Sequence, residues 1–328
     1  MSNESPATLI KVRGLTKHFP VRLGAYGQRK AIVHALDDVS FNVYRGETLG
    51  LVGESGCGKT TVGLSILQLH QPTKGEVIYK DIDLTQLSER ELRPLRQEIQ
   101  IIFQDPSSTL NPRMTVGSAI SEPMLEHERC KKQQIPERLE KLMSDVGLPA
   151  RFANRYPHEF SGGQRQRVCI ARALSCEPEF IVCDEPVSAL DVSIQAQITN
   201  LLKDLQEKYE LTYLFIAHDL AVVKYTSTRV AVMYLGRLAE LALRDDLFTR
   251  PLHPYTQALL SAVPIPNPKE ERNRQRFLLK GDVPSSISPP RGCSFHPRCP
   301  IAFEPCGENV PEWREVGSDH WVACHAVT

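Results

Sequence analysis

The sequence has no excess of either charge: 39 lysines and arginines balance 39 aspartates and glutamates across 328 residues. That balance leaves no overall electrostatic footprint for nucleic acid, although a local patch remains compatible with it. No stretch approaches the ~20 consecutive apolar residues that a membrane-spanning helix needs. The opening MSNESPATLI lacks the basic-then-apolar order of a secretory signal. Internal repeats and low-complexity tracts are missing too. The chain is therefore expected in the cytosol, or at a membrane through partners. Nine cysteines in such a compartment argue against a disulfide framework. Hydrophobic residues at 41% and charged residues at 24% are ordinary for a globular protein. The length suits one large α/β domain with an appendage, or two domains.

The most informative stretch is Gly53-Glu-Ser-Gly-Cys-Gly-Lys-Thr-Thr61. It fits G-x-x-x-x-G-K-[ST] and lies between an apolar run, Thr48 to Val52, and a predicted helix, Thr60 to Leu69. That is the context of a phosphate-binding loop. Its glycines (Gly53, Gly56, Gly58) let backbone N–H groups, including those of Glu54, Ser55 and Cys57, turn toward phosphate. The helix N-terminus adds a favourable dipole. Lys59 reaches the β- and γ-phosphates, and the Thr60 hydroxyl, followed by Thr61, binds Mg²⁺. The chain is thus expected to bind a nucleoside triphosphate.

Along the rest of the chain, Leu9 to Phe19 and Ala35 to Tyr44 alternate apolar and polar residues. They read as antiparallel edge strands around a loop, Arg22 to Lys30. Gly75 to Leu84 and Ile99 to Phe103 read as further strands. Residues 105–175 read as mostly helical, with Ile135 to Val146 and Gln164 to Ser175 the clearest segments. Phe180 to Cys183, Leu211 to Ala217 and Val230 to Leu241 read as extended, with a long helix from Val192 to Lys208. Strands alternating with helices imply an α/β fold around a mostly parallel, covered sheet. The predicted division is a nucleotide-binding domain over 1–250, with the helical part at about 105–175, then a Pro-rich linker and Cys-rich extension over 251–328. The prolines Pro264, Pro266, Pro268, Pro284, Pro289 and Pro290 mark the linker.

Two further motifs carry chemistry. Phe180-Ile-Val-Cys-Asp-Glu185 is an apolar strand ending in two carboxylates, at the edge where open α/β sheets bind ligands. Asp184 is placed to hold Mg²⁺ and Glu185 to polarise an attacking water. Phe160-Ser-Gly-Gly-Gln164 offers an N-cap serine and exposed backbone N–H groups at a helix start, a second anion site.

Ser161-Gly-Gly-Gln164, downstream of the phosphate loop and before the Asp-Glu strand, resembles the signature of ABC ATPases. The family's other elements follow in order. Gln104 in IIFQDP resembles its Q-loop, Ser188-Ala-Leu-Asp191 its D-loop, and His218 in FIAHD its switch histidine. Phe19 resembles the aromatic residue that stacks on adenine. The resemblance spans about residues 8 to 265. It implies a head-to-tail dimer in which Ser161, Gly162, Gly163 and Gln164 serve the partner's ATP, and it places Asp191 among the nucleotide-site residues. It also implies that Gln104 binds Mg²⁺ and water and senses a transmembrane partner, and that His218 orients the γ-phosphate. Helices around residues 105–135 are the expected contact for that partner.

Leu252-His-Pro-Tyr to Pro264 and Gly292-Cys-Ser-Phe-His-Pro-Arg-Cys-Pro300 resemble the ATP-binding subunits of oligopeptide, dipeptide and nickel importers. Within that family the chain is most similar to the dipeptide-importer subunit that pairs with a second, non-identical ATPase. The resemblance implies two permease chains and an extracytoplasmic binding protein reached through them. It also implies a station on the cytoplasmic face of the membrane. The four last cysteines, Cys293, Cys299, Cys306 and Cys324, are spaced C-x₅-C-x₆-C-x₁₇-C, unlike the paired C-x₂-C of structural zinc. Irregularly spaced thiolates hold a [4Fe–4S] cluster if they converge, and the resemblance favours that cluster. The alternatives are zinc, with His296, His320 or His325 as substitute ligands, and reduced cysteines that hold no metal. A nickel or glutathione importer, a soluble ABC ATPase of translation or DNA repair, and a non-catalytic regulatory subunit are the rival readings.

Overall fold

The computed structural model describes residues 7–23, 29–128, 130–263, 279 and 281–327. The predicted loop tip at 24–28 and the linker prolines Pro264, Pro266 and Pro268 lie outside them. The chain divides into two compact units.

The first unit is built from Tyr44–Thr48 and Gln86–Ile216, with Ala7. Three strands, β6 (Ile99–Ile102), β7 (Phe180–Asp184) and β8 (Thr212–Ala217), are parallel neighbours in that order. Every residue of β7 and β8 is buried, which explains why both read as unbroken apolar runs: parallel strands are covered on two faces. The helical part holds α4 (Val116–Glu126), α5 (Ile135–Asp145) and α6 (Gly162–Leu174), with α4 and α5 packed on α6. The Thr115 hydroxyl caps α4 by accepting from the Ser118 amide. Arginines that follow the glycine pair tie this part together. Arg165 donates to the Pro157 carbonyl, Arg167 to that of Val146, and Arg172 to that of Thr109. Helix α7 (Val192–Tyr209) follows, apolar on one face through Ile198, Leu201, Leu202 and Leu205.

The second unit holds residues 8–43, 49–85 and 217 onward. Strands β1 (Thr8–Leu23), β2 (Arg29–Tyr44), β4 (Lys74–Tyr79) and β5 (Ile82–Asp83) form an antiparallel sheet in the order β2-β1-β4-β5. The first two run further than predicted, into the Arg22–Lys30 segment, because cross-strand pairing sustains polar residues that propensity alone would leave as loop. The predicted single strand from Gly75 to Leu84 is instead a hairpin. Lys80 and Asp81 both take positive φ (47° and 67°), the pattern of a tight hairpin turn, without the Asn-Gly pair that announces one in sequence. Strand β3 (Thr48–Val52) lies parallel to β9 (Arg229–Tyr234), which turns through Leu235-Gly236 into antiparallel β10 (Arg237–Leu243). The stretch from Val230 to Leu241 is thus two strands. Among the described residues after Pro251, regular structure flanks the stretch that is predicted as a linker. Helix Pro254–Ala262 starts with proline at its first position, where no N–H is needed. Strand β12 (His320–Val322) pairs with β10, and β11 (Arg314–Gly317) pairs with β12.

Candidate functional site

In the second unit the phosphate loop joins β3 to α1 (Lys59–Ile66). Two glycines are dictated by what surrounds them. A Cβ at Gly53 would sit 2.2 Å from the Met233 carbonyl oxygen. Gly58, at φ 105°, would carry one 2.4 Å from that of Ala35. Lys59 is buried, and its ammonium donates to the Gly53 and Glu54 carbonyls at 2.8 and 3.1 Å. The lysine thus leans on the loop it serves. Burial pushes the Cys57 thiol up, against the pull of Lys59, so this cysteine is a packed small residue and no nucleophile. Phe19, half-buried on β1, meets the His70 ring edge-on at 5.4 Å, with the Lys17 ammonium 4.9 Å from its centre. His218 is exposed at the end of β8, and its neighbour Asp219 caps the next helix by accepting from the Ala221 amide at 2.7 Å.

In the first unit the two carboxylates part company at the strand end. Asp184 is the last residue of β7 and is buried. Glu185 takes φ 46°, unfavourable for a residue with a Cβ, and its amide donates to the Ile216 carbonyl at 3.0 Å. Backbone strain of this kind gathers where a side chain must be aimed. Here it breaks the strand's alternation and turns Glu185 out of it. Gln104, exposed just beyond β6, donates from its Nε2 to Glu185 Oε2 at 3.2 Å. The Ser188 amide and hydroxyl close the turn onto the Glu185 carbonyl at 3.2 and 3.0 Å. The structure therefore brings together Gln104 and Glu185, far apart in sequence, beside Asp184. Carboxylate and amide oxygens are the donors that suit Mg²⁺.

The glycine pair opens α6 as predicted. Ser161 caps it reciprocally with Gln164, by bonds of 3.0 and 3.3 Å. The two glycines differ: Gly162 is exposed, whereas a Cβ on Gly163 would come 2.5 Å from Ile194 Cγ2. Asp191 caps α7, accepting from the Ile194 amide at 3.0 Å and the Ser193 hydroxyl at 2.8 Å. Those bonds, that of the Ile194 amide first, hold its carboxyl below the ordinary range.

The four late cysteines converge. The Cys293 amide donates to the Cys306 carbonyl at 2.9 Å. Each thiol lies within electrostatic reach of the other three. Burial pushes Cys293 up to about 11, and the neighbouring thiols add to it. Backbone amides face three of the sulfurs: that of Phe295 faces Cys293, that of Ile301 faces Cys299, and those of Ala326 and Val327 face Cys324. Among the described residues, no three of these sulfurs lie within 4.8 Å of one another. One tetrahedral ion with Zn–S bonds of ~2.3 Å needs sulfurs closer than that, roughly 3.8 Å apart. The three histidines weighed as ligands are engaged elsewhere. His320 bonds the buried Glu240 at 2.7 Å, His296 the Cys293 carbonyl, and His325 that of Asn309.

Comparison with known proteins decides the family. Residues 36–188 match the ABC transporter family, and residues 239–306 match the oligopeptide/dipeptide transporter C-terminal region. The oligopeptide transport ATP-binding protein AppF of Bacillus subtilis is 51% identical over 326 residues, 99% of each chain. The chain belongs to the ABC transporter family.

As an ABC ATPase it is also 53% identical to a putative peptide import ATP-binding protein of Brucella ovis, over 96% of this chain and 97% of that one. Among solved structures, the dimeric ATP-binding cassette MJ0796 in a post-hydrolysis state with ADP and Pi is 31% identical, with a TM-score of 0.64. It covers 72% of this chain and 99% of its own, so the cassette fold is shared and this ABC ATPase carries more chain beyond it. Among the described residues no helix is long and apolar enough to cross a membrane.

Sequence reading missed the residues that brace the phosphate loop from the C-terminal segment. Arg298 forms a two-bonded ion pair with Glu54 at 2.8 and 3.2 Å. The Tyr255 hydroxyl accepts from the Glu54 amide at 2.9 Å. Each partner is more than two hundred residues from Glu54, and no short-range pattern records such a distance.

Proposed function

We propose that this chain hydrolyses ATP to power import of short peptides across the cytoplasmic membrane, working as a peripheral subunit on its cytoplasmic face. What carries the reading is one chain that joins an intact loop, signature and Asp184–Glu185 strand end to a C-terminal region found in oligopeptide/dipeptide transporters. The curated relatives named above share almost its whole length. Residues 1–250 form the ATPase and 251–328 the extension, with the cysteine module as its end.

In this reading the Gly53–Thr61 loop and Lys59 hold the phosphates, and Phe19 stacks on adenine. Thr60, Gln104 and Asp184 would hold Mg²⁺, which would supply charge neutralisation at the phosphates. Glu185 accepts the proton of the attacking water, and His218 donates a hydrogen bond to the γ-phosphate. Glu185 suits that task because its turn frees it from the strand, while Gln104 fixes one carboxylate oxygen. Ser161, Gly162, Gly163 and Gln164 serve the nucleotide of a second, non-identical ATPase, and Asp191 completes the set of nucleotide-site residues. Two permeases complete the assembly, and a binding protein reaches it through them.

Cys293, Cys299, Cys306 and Cys324 hold a [4Fe–4S] cluster. Support comes from four converging thiols spaced too widely for one small ion, with amides facing three sulfurs. The cluster supplies covalent order to a module with little core of its own. Zinc is the competing occupant.

The test is an anaerobic, mild-detergent purification of the tagged chain from membranes, with mass spectrometry and metal analysis. The expected result is two permeases, a second ATPase, ATPase activity, and brown protein containing iron and sulfide. Recovery with ribosomes or DNA-repair proteins in the soluble fraction would overturn the importer. Co-purifying nickel-specific chains would redirect its solute. Colourless, iron-free protein would remove the cluster.

A further inference from the structure

Glu54 places a carboxylate inside a loop whose task is to receive a polyanion. Its surroundings deal with that charge. The Arg298 guanidinium spans both carboxylate oxygens, at 2.8 and 3.2 Å, and leans on the Tyr234 hydroxyl at 3.4 Å. The arginine side chain is 8% exposed and that of Glu54 27%, so water screens the pair weakly and a bidentate geometry is well used. Arg298 closes the short turn His296–Arg298, between Cys293 and Cys299. That turn is anchored by Phe295, whose ring packs against Tyr234, Tyr255 and His253 at 5.2, 5.4 and 5.6 Å.

The backbone of the same glutamate is held as well. Its amide donates to Tyr255 Oη at 2.9 Å, and its carbonyl accepts from Lys59 Nζ at 3.1 Å and from the Cys57 amide at 3.2 Å. Residue 54 is therefore fixed through side chain, amide and carbonyl together. Two of its anchors, Arg298 and Tyr255, come from the C-terminal segment. Fixing a loop before its ligand arrives lowers the ordering cost of binding. Pairing Glu54 removes a like charge from the phosphate's surroundings.

We propose that Arg298 is a positioning residue for nucleotide binding: it neutralises and immobilises Glu54, so that the C-terminal extension sets the affinity of the phosphate loop. The proposal rests on the reading of that loop as the ATP site. It predicts charge logic that a purely structural contact does not share. Removing the arginine strands a carboxylate beside the triphosphate, and removing both charges relieves it.

The experiment is a double-mutant cycle on the full chain, titrating a fluorescent ATP analogue with Mg²⁺ and recording the melting temperature of each variant. Arg298→Met is expected to weaken binding about tenfold. Arg298→Lys, which keeps the charge without the fork, should lose less. Glu54→Gln with Arg298→Met should recover most of the lost affinity even where its melting temperature stays low. If Arg298→Met does not fold, the comparison of Arg298→Lys with Glu54→Gln plus Arg298→Lys carries the same cycle. Unchanged affinity in the arginine variants, or losses that simply add in the double variant, would overturn the proposal. Failure of the wild-type chain to bind the analogue would instead sink the ATP-site reading, and the proposal with it.

Discussion

The phosphate loop and the cysteine module are chemically comparable and were unequally legible. In the proposed function both gather several groups around a multiply charged ligand. The loop does so with contiguous residues, using mainly backbone N–H groups, so spacing alone encodes its geometry. The module does so with four side chains spread from Cys293 to Cys324, and their convergence depends on how the intervening chain folds. A motif can be read when the backbone between its members is short enough to have one conformation. A constellation needs the fold.

The sharpest way to break this comparison acts on the strand-end carboxylate, which belongs to the legible kind. Replacing Glu185 by Gln is expected to slow ATP turnover by roughly 10²–10⁴-fold while leaving nucleotide binding largely intact. The amide keeps the bond partner of Gln104 but cannot accept the water's proton. Turnover close to wild type, measured in the assembled transporter, would take Glu185 out of the base role.

Next comes the module. Cys306 is buried, and its carbonyl accepts from the Cys293 amide. Cys306→Ser is expected to abolish visible absorbance and bound iron, and to lower the melting temperature by several degrees. Cys169→Ser serves as the control: it is a buried thiol in α6, so it should lose a little stability and no iron. Equal iron in both variants would mean that the late cysteines do not form a metal site.

A third difference appears with pH. His253 is buried, and burial drives it down to about 4 against the pull of Glu240. Its Nδ1 accepts from the Tyr255 amide at 3.0 Å, which requires that nitrogen to be unprotonated. The unfolded chain therefore binds the proton first as pH falls. Stability should decline between about pH 6.5 and 4, by on the order of 3 kcal/mol from this group. His253→Asn, which keeps an acceptor for Tyr255, should flatten that slope in urea titrations. An unchanged slope would place the acid sensitivity elsewhere.

Legibility followed the same division through the fold. β7 and β8 could be read because two-sided burial writes an apolar run, and α7 because its buried face repeats at helical spacing. The β4–β5 hairpin was hidden, since its turn uses Lys80 and Asp81 at positive φ, where sequence would advertise asparagine or glycine. Helix Pro254–Ala262 was masked by the prolines around it, although Pro254 is its first residue. Gln104 was readable from its place in an ordered set of motifs. Arg298 and Tyr255 lie in the two C-terminal stretches that resemble the importer family, but nothing in those stretches points to Glu54, a residue they meet only in the folded chain.

The smallest expected effect separates two glycines that look identical in sequence. A methyl on Gly163 would press against Ile194 at 2.5 Å, whereas one on Gly162 would meet Leu190 at an ordinary 3.5 Å. Gly163→Ala should therefore destabilise the chain by about 1 kcal/mol, the cost of overpacking outweighing the better helix propensity of alanine. Gly162→Ala should leave stability unchanged or raise it by a few tenths of a kcal/mol. The two variants thus part packing from chemistry within one motif. If Gly162→Ala lowers ATP turnover in the assembled dimer while melting like wild type, close approach of its exposed backbone to the partner's phosphates is the remaining physical explanation. If turnover is also unchanged, the helix start tolerates a methyl, and glycine at 162 has no role in receiving the partner's nucleotide.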